Sequence, residues 1–168
     1  MRSEVTPDLW VADERECGPA VAAQRVLGRW PAIVHACKYP CHAAAVGYDG
    51  EHATKKITPD HPEYVWAERP GNLFLNMIDP PQPLFRVETF TRAAAFIGQA
   101  RPGGPTLVHC NQGRSRAPSL VLVFLARAGR LPRDSFGAAR EAFVALYPAY
   151  EPGLGLVTFL TERWREVL

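Results

Sequence analysis

Cys110 and Arg116 stand six positions apart in the run Val108-His109-Cys110-Asn111-Gln112-Gly113-Arg114-Ser115-Arg116. Such a run can build an anion cradle around a sulfur nucleophile. The amides of Asn111, Gln112, Gly113, Arg114, Ser115 and Arg116 can turn inward as a nest for a doubly charged oxyanion. A helix beginning at Arg116 would add its positive N-terminal end. The Arg116 guanidinium is a planar fork that matches two phosphate oxygens. The same positive surroundings favour thiolate over thiol. A thiolate beside a phosphate cradle is equipped for covalent phosphoryl transfer.

The flanking residues supply what such a loop needs. Gly103-Gly104-Pro105 reads as a turn, and Pro105–His109 as a short buried strand. Gly113 sits at the tight point of the loop, where a side chain would obstruct. The Ser115 hydroxyl can brace the loop or its arginine. Ala117–Ala126 is apolar enough for a buried helix, and Pro118 fits only in that helix's first turn.

Cleaving a phosphate ester leaves an oxyanion that needs a proton, and a positioned carboxylic acid can give it. Asp79 is the candidate. It follows the apolar run Leu73–Ile78, and Pro80, Pro81 and Pro83 stiffen the chain after it. Asp79 lies 31 positions before Cys110, with the helical pattern Val87–Ala100 between them. A strand–helix–strand unit of that kind brings both residues to one edge of a parallel sheet. Asp60, in a polar turn with no strand behind it, is the weaker choice. For this task Asp79 must carry its proton when substrate binds, so activity should fall on the alkaline side. His109 reads as a buried bracing residue.

The loop resembles the signature His-Cys-x-x-Gly-x-x-Arg of the cysteine-dependent tyrosine and dual-specificity phosphatases. Its Gly-x-Ser-Arg ending is similar to the dual-specificity branch. Leu9-Trp10-Val11 and Ala32–Cys37 resemble that family's first strands. Leu73–Asp79 resembles the segment carrying its general acid, and Tyr147–Leu160 its closing segment. The resemblance covers about residues 5–168. It implies catalysis by Cys110, Arg116 and Asp79, no cofactor, and a phosphorylated protein as substrate. Phosphotyrosine is expected first, and phosphoserine or phosphothreonine beside it. One position departs: a Ser or Thr usually follows the loop arginine and donates to the cysteine sulfur, and Ala117 cannot. That weakens the hydrolytic second step more than the first.

The elements that must position these groups alternate. Strands are expected at Leu9–Ala12, Ala32–Cys37, Leu73–Ile78 and Pro105–His109. Helices are expected near Gly18–Leu27, Val87–Ala100, Arg116–Ala128, Arg133–Leu146 and Leu156–Val167. The pattern implies an α/β fold with a central, mostly parallel sheet of four to five strands flanked by helices. A chain of 168 residues suits one phosphatase domain, 1–168, with a long loop insertion at 38–71. Long loops beside a site often carry specificity.

The stretch His35–His42 holds two His and two Cys, and invites a zinc reading. Pro40 interrupts it, and the remaining His52, His61, His109, Cys17 and Cys110 form no second cluster to complete a site, so no metal is assigned. In some relatives a cysteine at a similar strand end forms a disulfide with the nucleophile. Cys37 is the candidate redox partner of Cys110 on that basis.

Net charge of +2 makes no case for nucleic acid, and no apolar run approaches a membrane span. The polar N-terminus lacks a signal-peptide core. A cytoplasmic location with reduced cysteines is therefore expected. Two other functions use the same loop. Arg114 adds a second positive charge that would suit a phosphoinositide or the 5′-phosphates of RNA. Ala117 would suit a pseudophosphatase that grips phosphoproteins and turns over poorly. Sulfur transfer and arsenate reduction fit less well, given Asp79 and the late position of the loop.

Overall fold

Thr106–His109 (β6) is buried along its whole length and lies at the centre of the sheet. Leu107 and Val108 at its middle are apolar on opposite faces, which suits a strand covered on both sides. The computed structural model describes residues 2–18, 20–21, 24, 29–48 and 57–168. The other strands are β1 (Arg2–Thr6), β2 (Leu9–Ala12), β3 (Ala32–His35), β4 (Trp66–Arg69) and β5 (Asn72–Leu75). Their order across the sheet is β1-β2-β6-β3-β5-β4. The central four are parallel, and β1 and β4 pair antiparallel at the two edges.

The α/β fold and the mostly parallel sheet agree with the sequence reading, and the strands number six. Each added strand is half exposed and lacks an apolar run. β1 is Arg-Ser-Glu-Val-Thr and β4 is Trp-Ala-Glu-Arg. The second lies inside the stretch 38–71, so that stretch is not all loop. It ends in a hairpin whose turn is Pro70-Gly71, with Arg69 opposite Asn72. Gly71 has φ +69, and a side chain there would meet the carbonyl oxygen of Pro31 at 2.7 Å.

Four helices of eleven residues or more follow: α1 (Val87–Ala100), α2 (Arg116–Arg127), α3 (Phe136–Leu146) and α4 (Leu154–Val167). Pro118 lies in the first turn of α2, where its missing N–H costs no hydrogen bond. Ser135 caps α3 through Ala138 N–H at 3.1 Å. Of the helix expected near Gly18–Leu27, residues 18, 20, 21 and 24 are described and helical. The rest of it, and residues 49–56 of the long stretch, lie outside the described residues.

Side chains alternate along the central strands and so divide between two apolar clusters. Val11, Val34, Leu73, Leu75 and Val108 pack with the four helices. Ala12, Ile33 and Leu107 pack on the other face with Ala20 and Trp30. Since the central strands are parallel, their C-terminal ends share one edge, where a crevice for ligands normally forms. Cys110, Ala36, Met77 and Asp13 all follow directly or closely on those ends.

Candidate active site

Cys110 is the first residue after β6, and it is 1 % exposed at the floor of the loop. The Gly113 N–H points back at its Sγ at 3.3 Å. Gly113 has φ +72, and a Cβ there would lie 3.1 Å from the backbone of Ala12. The turn therefore needs glycine on both counts. Three other contacts hold the loop. The Tyr147 hydroxyl donates to the Gly113 carbonyl at 2.8 Å. Gly153 N–H donates to Ser115 Oγ at 3.0 Å. Ser119 Oγ donates to the Ser115 carbonyl at 2.8 Å, and pairs with the Tyr150 hydroxyl at 2.9 Å. Ser115 thus braces the loop against the start of α4 rather than against its arginine.

The Arg116 guanidinium is tied to the strand ends around it. It donates to the carbonyls of Ala36 and Met77 at 3.2 and 3.0 Å, and to Asn111 Oδ1 at 2.6 Å. Its Nε is buried without a partner. A buried unpaired donor is costly, and a phosphate oxygen in the loop would satisfy it. Asn111 is fixed from its other end by Glu14, at 2.6 Å. Arg114 pairs with Glu151 at 3.2 Å in solvent. Its charge is thereby partly committed within the chain.

Asp79 is exposed and follows the end of β5 by four residues. It lines one cleft with Gln112, Arg114, Ser115, Glu151 and Gly153. Gly153 makes room for it: a Cβ there would lie 2.6 Å from Asp79 Oδ1. At Gly155 a Cβ would overlap the carbonyl oxygens of Pro80 and Gln82. The loop carrying Asp79 therefore lies directly on the first turn of α4. Ala117 is fully buried in α2 and offers the sulfur no hydroxyl.

Chain architecture invites comparison with known folds. No family model and no curated protein matches the sequence. Solved structures do match in shape. DUSP15 is 19 % identical with a TM-score of 0.64, over 97 % of this chain and 86 % of that one. Human DUSP28 is 21 % identical with a TM-score of 0.62, over 97 % and 91 %. PTPMT1, solved in complex with PI(5)P, is 13 % identical with a TM-score of 0.61, over 99 % and 96 %. The fold is that of the dual-specificity phosphatases.

Within this dual-specificity phosphatase fold, several participants were not singled out by the sequence reading. Tyr147 and Tyr150 are buried polar rings whose hydroxyls hold the loop and its helix. Burial, with the Cys110 charge nearby, pushes the Tyr147 phenol above its ordinary range. Burial does the same to Tyr150. Glu14 reaches Asn111 across a long sequence gap. An aromatic hydroxyl in an apolar segment was the available signal for the two tyrosines.

Cys37 is buried and extended, two residues beyond His35 at the end of β3. Cys110 follows the end of the neighbouring strand β6.

The zinc reading of His35–His42 also changes. His42 is buried with its Nε2 on the Glu63 carbonyl at 2.8 Å, so it stands apart, and burial pushes its pKa down. His35 and Cys41 instead meet Cys17 and His109. The expectation that no remaining residues complete the group is corrected here: the fold brings Cys17 and His109 to it from separate elements. The Cys41 hydrogen bond holds the Cys17 thiol well below the usual range, and Cys17 pushes Cys41 up in return.

Proposed function

We propose that this chain, acting as one catalytic unit over 1–168, is a cysteine-dependent phosphatase. It hydrolyses phosphate monoesters, with phosphotyrosine and then phosphoserine or phosphothreonine of proteins as substrates. The observation that carries this reading is the loop itself. A buried Cys110 sulfur receives an inward amide at 3.3 Å, beside an Arg116 Nε with no partner of its own. Both features call for a tetrahedral oxyanion above the sulfur.

Cys110 attacks phosphorus while Asp79 protonates the leaving oxygen. Water then attacks the cysteinyl phosphate, with Asp79 taking the proton. Arg116 and the loop amides from Asn111 to Arg116 hold the equatorial oxygens as charge spreads in the transition state. The pairing of Arg114 with Glu151 favours a monoester over a polyanion such as a phosphoinositide or an RNA 5′ end. A thiolate nucleophile fits a reducing, cytoplasmic setting. Among the described residues no helix is long and apolar enough to cross a membrane.

The test is hydrolysis of p-nitrophenyl phosphate and of a phosphotyrosine peptide by the reduced protein. Cys110→Ser should abolish turnover. Asp79→Asn should lower it by about 10²–10⁴-fold, the usual contribution of one positioned acid. An inactive but well-folded wild type that binds the phosphopeptide would instead support the pseudophosphatase reading, which rests on Ala117.

A further inference from the structure

Cys17, His35, Cys41 and His109 come from four separate places in the chain, and their ligand atoms all lie within 4.8 Å of one another. Cys17 follows the short 3-10 turn after β2. His35 ends β3, and Cys41 follows it by six residues. His109 ends β6, paired in register with His35. The cluster sits on the face of the sheet away from the four helices, directly behind Cys110. We propose that these four residues form a structural zinc site.

The distances carry this. Zinc with sulfur at about 2.3 Å and nitrogen at about 2.0–2.1 Å gives a tetrahedron with edges of about 3.8 Å between sulfurs, 3.5 Å between sulfur and nitrogen, and 3.3 Å between nitrogens. The observed edges are 3.9 Å for Cys17–Cys41, 3.5 Å for Cys17–His35, 3.9 Å for Cys41–His109 and 2.8 Å for His35–His109. The two remaining edges are no longer than 4.8 Å. To reach the ideal tetrahedron the nitrogen pair opens by about half an ångström, the Cys41–His109 edge closes by about 0.4 Å, and an edge at the 4.8 Å limit closes by about 1.3 Å. A disulfide needs the sulfurs to close to about 2.05 Å. A two-iron cluster puts the Cys pair and the His pair on different irons, and the short Cys-to-His edges here fit one ion instead.

The tautomer of His35 is already set for binding. Asn72 donates through Nδ2 to Gln24 Oε1 and to the Pro70 carbonyl, both at 2.9 Å. Its Oδ1 therefore faces His35 Nε2, at 3.0 Å, and must accept from it. That leaves the Nδ1 lone pair aimed at the cluster. Donation of the far N–H to a carbonyl oxygen is the usual support of a metal-bound histidine. On binding, zinc displaces the two thiol protons, and His109 carries its hydrogen on Nδ1. Two thiolates balance the ion, so no net charge is buried. Two protein sulfurs and two nitrogens close the coordination sphere and leave no position for substrate. The role is to clamp the ends of β2, β3 and β6, and with them the base of the Cys110 loop.

The test is metal content and cobalt spectroscopy on the full chain, purified without a polyhistidine tag. Wild type should hold about one zinc per chain after dialysis, as a closed four-ligand site does. Replacement by cobalt should give thiolate charge-transfer bands and intense tetrahedral d–d bands. Cys17→Ser with Cys41→Ser should lower bound zinc at least about tenfold, while Cys37→Ser keeps it. The proposal is overturned by background zinc in folded wild type, by zinc that survives loss of both cysteines, or by a Cys17–Cys41 disulfide in the native protein. Should the double variant fail to fold, the wild-type cobalt spectrum decides alone: no thiolate band means no site. None of these readouts depends on phosphatase activity.

Discussion

Ala117 is the position at which the loop departs from the signature it resembles. It is wholly buried, and the nearest hydroxyl along α2, on Ser119, is spent on Ser115 and Tyr150. Nothing on the helix therefore replaces the missing donor. Ala117→Ser should raise kcat, by up to about 10²-fold, by stabilising sulfur as it leaves. It should also shorten the life of the phosphoenzyme, which rapid-quench measurement with labelled substrate would show. Asp13 makes a different prediction. Hydrogen bonds from Arg15 hold its carboxyl at about 2, below the ordinary 3.8. A depressed carboxyl contributes stability that is present above the unfolded value and lost as pH falls through the folded one. Asp13→Asn should therefore destabilise the protein above about pH 4 and have no effect below about pH 2. Denaturant melts across that range would check it. The effect should be small, since Arg15 is well exposed.

At the scale of elements, the site depends on one helix start. The first turn of α4 meets the Cys110–Arg116 loop through Gly153 N–H and meets the Asp79 loop through Gly155. Chain segments that are far apart in sequence share this contact, so a change there should reach both chemical steps. Gly155→Ala should push the Pro80–Gln82 backbone aside and displace Asp79. We expect kcat to fall by about 10-fold or more, with weaker loss for substrates whose leaving group needs no proton. Comparing p-nitrophenyl phosphate with an alkyl phosphate would separate the two. Equal loss on both would argue that the loop around Cys110 moves instead. The same contact explains why Asp79 could be nominated from the chain and the glycines packed against its loop could not. A carboxylate after an apolar run is visible in the chain, whereas a glycine that clears space for a distant backbone looks like any other.

At the scale of the molecule, the centre of the sheet is dry on both faces. Leu107 and Val108 are neighbours on β6, point in opposite directions, and are both fully buried. Leu107→Ala should cost about 2–5 kcal/mol in urea unfolding, as large-to-small changes in a core do. A near-neutral result would mean that the second face is wet. The parallel core, its helices and the loop Cys110–Arg116 were legible because each is local. An apolar run, a tight glycine and a first-turn proline act on their own neighbours. The edge strands β1 and β4 were not, since a half-exposed strand takes its character from its partner rather than from its own residues. By itself, then, the sequence determined the order of the four central strands and the long helices, the loop and its candidate acid. These follow from composition and spacing over short distances. Only the tertiary structure decided which distant groups meet: Tyr147 on the loop, Gly153 on Asp79, and Cys17 with His35, Cys41 and His109. Such meetings arise from closure across long stretches of chain, and no local pattern encodes them.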